Sequence, residues 1–159
     1  ILGEDLSGPG CTEVDARQAT RGLVAALEIV DSRVRDWRIR IADTVADLAS
    51  GGAVALGSRV VPLSGFEPRL IGMVFSRNGH TVATAAGAAA LGDPMTAVAW
   101  LANTLGERGV VLPTGAVILT GALHAMVPIE AGDLFQAEFD RLGSVEVRIV
   151  AGGAQEVAS

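Results

Sequence analysis

The chain has 159 residues, of which 50% are hydrophobic and 19% charged, and its formal net charge is −6. This length supports one domain with a sizeable core, and the apolar fraction excludes an intrinsically disordered chain. The negative charge argues against nucleic-acid binding, which depends on dense Lys and Arg facing the phosphates. The single cysteine, Cys11, excludes an intrachain disulfide and thiolate zinc sites, and a reducing cytoplasm is the simplest compartment.

The first predicted element is a helix. Thr12 and Asp15 have the spacing of an N-cap residue and its partner three positions later. We expect the helix to run from there to about Leu23.

A strand should follow, and it carries the first candidate functional residue. The run from Ala25 to Asp31 is apolar except for Glu28, as is typical of a buried strand. A buried charge is costly unless a partner or a metal ion compensates it. From the residues alone, Glu28 is equally well a metal ligand or the ion-pair partner of an arginine such as Arg33.

The segment after this strand is rich in charged residues. Four arginines lie on either side of Trp37 in the sequence, namely Arg33, Arg35, Arg38 and Arg40. They alternate with aspartates, a pattern that is typical of a solvated face or a subunit contact. Residues from Asp43 to Ala49 predict a short helix or turn that returns the chain to the candidate site at Glu28. Ser50 follows that segment.

The middle of the chain predicts strands and a hairpin. Ala53 to Leu56 is one expected strand, and Leu70 to Ser76 and Thr81 to Thr84 are two more. The Asn78-Gly79 pair between the last two is a strong hairpin signal, since both residues tolerate positive φ. His80, next to this turn, is expected to be exposed.

A second helix and three further strands complete the prediction. Asp93 and Pro94 have the pattern of an N-cap and a first helical residue, and the helix should end near Leu105-Gly106 and be buried. The predicted strands are Ala116 to Thr120, Leu134 to Phe139 and Ser144 to Val150.

Prolines and glycines break the uncharged run from Val110 to Ile129, which argues against a membrane span. One domain is expected over residues 1–150, and 151–159 is expected to be a tail.

Several blocks of the chain resemble one enzyme family in both order and spacing. They are Ala26-Leu27-Glu28-Ile29-Val30-Asp31-Ser32-Arg33, Asp43-Thr44-Val45-Ala46-Asp47, Gly87-Ala88-Ala89-Ala90-Leu91-Gly92-Asp93-Pro94, Ile118-Leu119-Thr120-Gly121-Ala122-Leu123 and Leu142-Gly143-Ser144-Val145. Together they resemble the 2-keto-4-pentenoate hydratases of the fumarylacetoacetate hydrolase-like superfamily. The periodicity of the chain predicts an α+β, strand-rich fold, and the resemblance implies a mixed β-roll or barrel flanked by helices.

The resemblance also implies a divalent metal, Mg²⁺ or Mn²⁺, as the cofactor. Glu28 corresponds to the third metal-ligand carboxylate of the family. The other two come from a Glu-x-Glu strand that would precede Ile1, and the family lysine would lie earlier still, so we expect the chain to be the C-terminal portion of a longer enzyme that is inactive alone. Leu48 departs from the family, which usually has Asn at this position.

Further site residues follow from the resemblance. Ser50 corresponds to a serine that faces the substrate through its hydroxyl or backbone N–H, and Thr120 and Gly121 to a contact with the substrate carboxylate. On residue chemistry, and not from the resemblance, Asp47 and Asp43 are candidates for acid–base groups or for anchors and caps. His124 is a candidate proton carrier on the same ground.

The implied activity is a hydro-lyase reaction, the hydration of 2-hydroxypenta-2,4-dienoate to 4-hydroxy-2-oxopentanoate in aromatic meta-cleavage catabolism. The alternatives are the homologous 2-oxo-3-hexenedioate (4-oxalocrotonate) decarboxylase and, if the chain is complete, a non-catalytic assembly module. The expected partners are a small 2-oxo acid or dienol substrate, further copies of the chain and the aldolase that follows in the pathway. Nucleic acid and membrane are not expected partners.

Overall fold

The computed structural model describes residues 1–151, in which six strands and three α-helices confirm the α+β, strand-rich class. In chain order the elements are α1 (Glu13–Ala19), β1 (Ala26–Val30), α2 (Ile41–Ala46), β2 (Gly51–Leu56), β3 (Gly72–Arg77), β4 (His80–Ala86), α3 (Pro94–Gly106), β5 (Leu134–Phe139) and β6 (Gly143–Arg148). Apart from Ala151, the predicted tail lies outside the described residues.

The strands form two antiparallel sheets. β1 pairs with β2, and the other four strands have the order β4-β3-β5-β6. Both strands of the smaller sheet contact β6, so the two sheets lie against each other. The inner face of the larger sheet contributes the core residues Met73, Phe75, Phe135, Ala137 and Val145.

A second core lies between α1 and α3. Its buried residues come from these two helices and from extended segments near Leu2, Leu6 and Leu112. Backbone pairing between Leu6 and Leu112 joins the start of the chain to the segment that follows α3. The described residues therefore contain a helical core and a sheet core.

The α1 helix begins as predicted but is shorter than expected. The Thr12 hydroxyl accepts the Asp15 N–H at 3.2 Å, and the Asp15 carboxylate accepts the Thr12 N–H at 2.8 Å. The helix ends at Ala19 because Leu23 exchanges two backbone hydrogen bonds with Val61, both of 2.8 Å. A tertiary pairing therefore replaces the last predicted helical turn.

The hairpin and the start of α3 agree with the sequence. Asn78 and Gly79 have φ values of 52° and 80°, His80 is exposed, and the Asp93 carboxylate accepts the Met95 N–H at 2.8 Å. As predicted, α3 is buried or half-buried along its length, except at Trp100, which is 61% exposed. The apolar pattern of the helix does not reveal which neighbours cover it.

The strand predicted from Ala116 to Thr120 is absent from the described residues. Ala116 accepts a hydrogen bond from Leu2, but the backbone groups of 117–120 make none within residues 1–151. A strand needs a neighbour at hydrogen-bonding distance, and this segment has none here. None of the described helices is long and apolar enough to cross a membrane.

Candidate functional site at the end of the first two strands

Glu28 is exposed, so the prediction that it lies in a buried strand is wrong. Leu27 and Ala55 pack against the sheet core, whereas Glu28 and its cross-strand partner Val54 lie on the other face of the two-stranded sheet. Side chains alternate between faces along a strand, and none of the described residues covers this outer face. The apolar neighbours of Glu28 therefore do not enclose it.

The Glu28 carboxylate makes no hydrogen bond or salt bridge within residues 1–151. Its Oε1 atom lies 3.9 Å from the position that a Cβ atom would occupy on Gly51, at the start of β2. Arg33, which the sequence offered as an ion-pair partner, instead pairs with Asp47. Of the two interpretations that the sequence left open, this geometry favours a carboxylate available to an external cation.

A strained turn brings the chain back to this end of the sheet. Leu48, Ala49 and Ser50 have φ values of 51°, 56° and 57°, so three consecutive residues other than glycine are left-handed. Each costs about 1–2 kcal/mol relative to a right-handed conformation. The Asp31 N–H donates to the Ser50 carbonyl at 2.8 Å and joins the turn to the end of β1.

The side-chain contacts around this turn converge on the Asp47 carboxylate. Its Oδ1 atom lies 2.5 Å from Arg33 Nε. Its Oδ2 atom accepts from the Ser32 hydroxyl at 3.2 Å, the Arg33 N–H at 3.1 Å and the Ser50 hydroxyl at 3.3 Å. Both carboxylate oxygens are therefore occupied by donors.

These donors also control the charge of Asp47. Burial by itself would raise the pKa of the carboxyl, but the hydrogen bonds from the Arg33 backbone and side chain, the Arg33 charge and the Ser32 hydroxyl lower it below its ordinary value. Asp47 consequently stays ionised near neutral pH. This favours the anchoring role that the sequence left open beside the acid–base role.

Ser50 is the most enclosed polar residue of the cluster, with 2% of its surface exposed. Its N–H donates to the Asp47 carbonyl at 2.8 Å, so the backbone donor is already used. The hydroxyl bond to Asp47 is longer than the 2.7–2.8 Å typical of hydroxyl donors. Of the two donors considered for substrate, only the hydroxyl is held loosely.

Thr120 and Gly121 lie elsewhere, in a shallow groove of about 200 Å³ beside α3. The other lining residues include Trp100, Leu101 and Ile118. Among the described residues, no hydrogen bond uses the N–H of Thr120 or Gly121, and none joins either residue to Glu28 or Ser50. Within residues 1–151, the N–H groups predicted to bind a carboxylate have no acceptor, and no hydrogen bond links them to the Asp47 cluster.

His124 is packed against the sheet core. Its ring stacks on Phe75 with centroids 4.5 Å apart, and Nδ1 lies 2.6 Å from the carbonyl oxygen of Ala125. A carbonyl only accepts, so Nδ1 carries the proton in this contact. No hydrogen bond within residues 1–151 joins His124 to the Asp47 cluster, and this geometry favours a packing role.

One exposed carboxylate of the described residues has the chemistry of a hard-cation ligand. An exposed carboxylate without an internal partner, as at Glu28, fits one oxygen ligand of Mg²⁺ or Mn²⁺. Over 1–151, however, no three His, Cys, Asp or Glu side chains come together as a metal site. Asp43 does not add a ligand, because its carboxylate accepts the Arg40 N–H at 2.8 Å and caps α2.

The sequence interpretation missed the role of Arg33. Its side chain contacts the carbonyl oxygens of Asp47 and Gly51 as well as the Asp47 carboxylate. The motif Asp31-Ser32-Arg33 was visible, but nothing in it shows that a residue 14 positions later is the partner. A three-residue turn of left-handed backbone without glycine is equally invisible in the sequence.

Sequence comparison places the whole described region in one family. Residues 1–150 match the family described as fumarylacetoacetate (FAA) hydrolase C-terminal. A 2-keto-4-pentenoate hydratase of Paraburkholderia xenovorans is 43% identical over 159 residues, which are 100% of this chain and 59% of that protein. A 2-hydroxyhexa-2,4-dienoate hydratase of Comamonas testosteroni is 41% identical over 93% of this chain and 56% of its own length.

A solved structure agrees with these matches. The 4-oxalocrotonate decarboxylase of Pseudomonas putida G7, in complex with magnesium and adipate, superposes with a TM-score of 0.90 and 37% identity over 94% of this chain and 57% of that chain. The chain thus spans somewhat more than half the length of these relatives. Because the family match extends over 150 of the 159 residues, the chain belongs to the fumarylacetoacetate hydrolase C-terminal family.

Proposed function

We propose that the complete protein is a metal-dependent hydro-lyase that adds water to 2-hydroxypenta-2,4-dienoate and releases 4-hydroxy-2-oxopentanoate. In this reaction the dienol first becomes 2-oxopent-3-enoate, and water then adds at C4. The observation that carries the proposal is 43% identity to a named 2-keto-4-pentenoate hydratase over every residue of this chain. The unpartnered Glu28 beside the Asp47 cluster supports it.

Glu28 would hold the divalent cation in this proposal. The exposed carboxylate has no internal partner among the described residues, so no existing bond must break when a cation binds. When bound, such a cation stabilises negative charge on the C2 oxygen of a 2-oxo acid. Over residues 1–151, no other His, Cys, Asp or Glu side chains join Glu28 in a group of three possible ligands.

Ser50 would donate to the substrate oxygen that becomes negatively charged. Its hydroxyl is bound to Asp47 by a long 3.3 Å contact, so the same proton can turn towards a stronger acceptor. Asp47 stays ionised and keeps the serine in place instead of exchanging a proton. The N–H groups of Thr120 and Gly121 have no acceptor within the described residues and are available to a carboxylate, but no contact among these residues joins them to Ser50.

Replacing Glu28 by Gln in the complete gene product tests the metal assignment. We expect loss of Mg²⁺- or Mn²⁺-dependent turnover with little change in stability, because an exposed neutral isostere replaces a charged ligand. The matched control is Glu146→Gln, since Glu146 is also an exposed strand glutamate without a partner in the described region. If Glu28→Gln retains activity and metal affinity close to those of Glu146→Gln, Glu28 is not a ligand.

Ser50→Ala tests the donor in the same assay. Removal of one hydrogen-bond donor to a developing oxyanion lowers kcat by about 10²-fold. A change of less than about twofold would mean that the hydroxyl only contacts Asp47.

A decarboxylase is the second candidate, because the 4-oxalocrotonate decarboxylase from Pseudomonas putida G7 superposes so closely. Both reactions pass through an enolate of a 2-oxo acid, but one adds water and the other releases carbon dioxide. Product analysis with 2-hydroxypenta-2,4-dienoate and with 2-oxo-3-hexenedioate separates them. Carbon dioxide release without hydration would assign the decarboxylase.

We further propose that the protein acts in the cytoplasm as a homo-oligomer and meets the aldolase that consumes its product. The single cysteine is consistent with a reducing compartment. The exposed apolar side chains of Trp100 and Leu91 support a contact between subunits. Sedimentation of the complete protein, alone and with the aldolase, tests both associations.

A further inference from the structure

The left-handed turn at Leu48, Ala49 and Ser50 requires contacts that hold it. Alanine and leucine rarely adopt this conformation, because their Cβ atoms crowd the following carbonyl oxygen. Conformations of this kind persist only where the surroundings enforce them. The residues in contact with the two ends of the turn are therefore the ones that can hold it in this conformation.

Arg33 contacts both ends of this turn. Nη2 donates to the carbonyl oxygen of Asp47, immediately before the turn, at 2.7 Å. Nη1 donates to the carbonyl oxygen of Gly51, immediately after it, at 2.8 Å. Nε pairs with the Asp47 carboxylate at 2.5 Å. One planar guanidinium thus joins the entry and the exit of the turn.

The same contacts determine where the candidate functional groups lie. The Asp47 carboxylate that pairs with Arg33 also accepts the Ser50 hydroxyl. Gly51, whose carbonyl accepts from Arg33, is the residue beside the Glu28 carboxylate. Arg33 is thereby connected to Ser50 through Asp47 and to the surroundings of Glu28 through Gly51.

From this arrangement we propose that Arg33 is a positioning residue that clamps the left-handed turn and so holds Ser50 and Gly51 beside Glu28. It acts through Asp47 and the backbone, not by touching the reacting atoms. The structural part stands on the contacts alone, and only its effect on turnover rests on the proposed function. Lysine cannot replace this planar fork, because an ammonium group is a single compact donor centre.

Hydrogen exchange of the complete protein tests the clamp without reference to any reaction. Arg33→Gln should increase exchange at the Ser50 and Asp31 amides by at least about tenfold, while the amides of β5 and β6 keep their protection. Arg35→Gln is the matched control, because it removes the same charge from an exposed arginine two residues away. Equal exchange in the two variants at Ser50 and Asp31 would overturn the proposal.

A second substitution shows whether the clamp acts on backbone strain. Ala49 is exposed and left-handed, so Ala49→Gly relieves strain without removing a packing contact. In the Arg33→Gln background it should recover at least part of the lost protection, whereas Arg33→Lys should resemble Arg33→Gln. If Ala49→Gly recovers nothing and Arg33→Lys behaves like the wild type, Arg33 acts as a charge and not as a clamp.

Turnover by the same variants separates this inference from the proposed function. We expect Arg33→Gln to lower kcat by about 10-fold or more with a smaller effect on KM, and Ala49→Gly to raise kcat in that background. Altered exchange in a protein without hydratase activity refutes the proposed function and leaves the clamp intact. Unaltered exchange refutes the clamp, whatever the activity.

Discussion

At the scale of single residues, backbone conformation matters most at Leu48, the position that departs from the family. The family resemblance implies Asn here, and Asn tolerates left-handed backbone far better than a larger apolar residue does. Leu48 has a φ of 51° and is 79% exposed, so it is not packed in a core. The residue is therefore unfavourable both in its backbone conformation and in its exposure.

Leu48→Asn should stabilise the protein by about 1 kcal/mol, because it relieves left-handed strain. For a chain of this size the corresponding increase in Tm is about 2–4 °C. Val45→Asn is the matched control, since Val45 is 74% exposed but belongs to the right-handed helix α2. A thermal melt in which Leu48→Asn gains no more than Val45→Asn would contradict the strain at residue 48.

The same substitution bears on the proposed reaction. If the family asparagine contacts substrate or water, Leu48→Asn in the complete enzyme should raise kcat/KM for the short dienoate. An increase in Tm without a change in kcat/KM would mean that residue 48 affects the backbone conformation and not the reaction.

At the scale of elements, the β3–β4 hairpin is tied to the start of β5 by Asp133. Its carboxylate is 5% exposed and accepts from Arg77 Nε at 2.9 Å, Arg77 Nη2 at 2.8 Å and the Asn78 amide at 2.9 Å. It also accepts the Glu130 N–H at 2.8 Å. The turn that precedes β5 is thus attached to the hairpin by one buried carboxylate.

Asp133 should make stability depend on pH in the acid range. The Arg77 hydrogen bonds lower its pKa below 3.8, outweigh the opposite effect of burial, and are assisted by Asn78 and the Glu130 N–H. Its contribution is complete above pH 3.8 and is lost as pH falls through the lowered folded-state value, because the unfolded chain takes up the proton first.

Urea unfolding from about pH 2.5 to about pH 7 measures this contribution. Asp133→Asn should lower the urea midpoint near neutral pH by several times as much as Asp140→Asn, a substitution at an exposed carboxylate. The difference in urea midpoint between the wild type and Asp133→Asn should become smaller as the pH falls below about 4. A gap that is constant across this range would mean that the charge on Asp133 is not what stabilises the turn.

At the scale of the whole molecule, the described residues supply only part of the proposed metal site. Glu28 is the one ligand that we propose, and no cluster of three possible ligands exists over 1–151. A single carboxylate in water holds a hydrated hard cation only weakly, since Mg²⁺ gives up its water reluctantly. We therefore expect the 159-residue chain alone to be inactive in the hydratase assay.

The 159-residue chain should bind Mg²⁺ or Mn²⁺ with a Kd weaker than about 1 mM. Titration calorimetry of the chain and of its Glu28→Gln variant tests this, with the complete gene product as the positive comparison. Micromolar binding by the chain alone would show that other groups within it complete the site.

The sequence by itself determined the features that depend on neighbours along the chain. The Thr12 and Asp93 caps and the Asn78-Gly79 turn depend on residues at most a few positions apart, so their patterns predicted the structure correctly. The family was also recognisable, because its blocks keep their order and spacing across the chain. The α+β, strand-rich class followed from the periodicity of the chain and was confirmed.

Only the tertiary structure decided which faces are covered and which distant groups meet. It exposed Glu28 on the outer face of a two-stranded sheet, ended α1 early by pairing Leu23 with Val61, and gave 117–120 no strand partner within residues 1–151. It also brought Arg33 to Asp47 across 14 positions. The physical reason is that burial, sheet pairing and ion pairing depend on residues far apart in the chain, whose distances in space no local pattern contains.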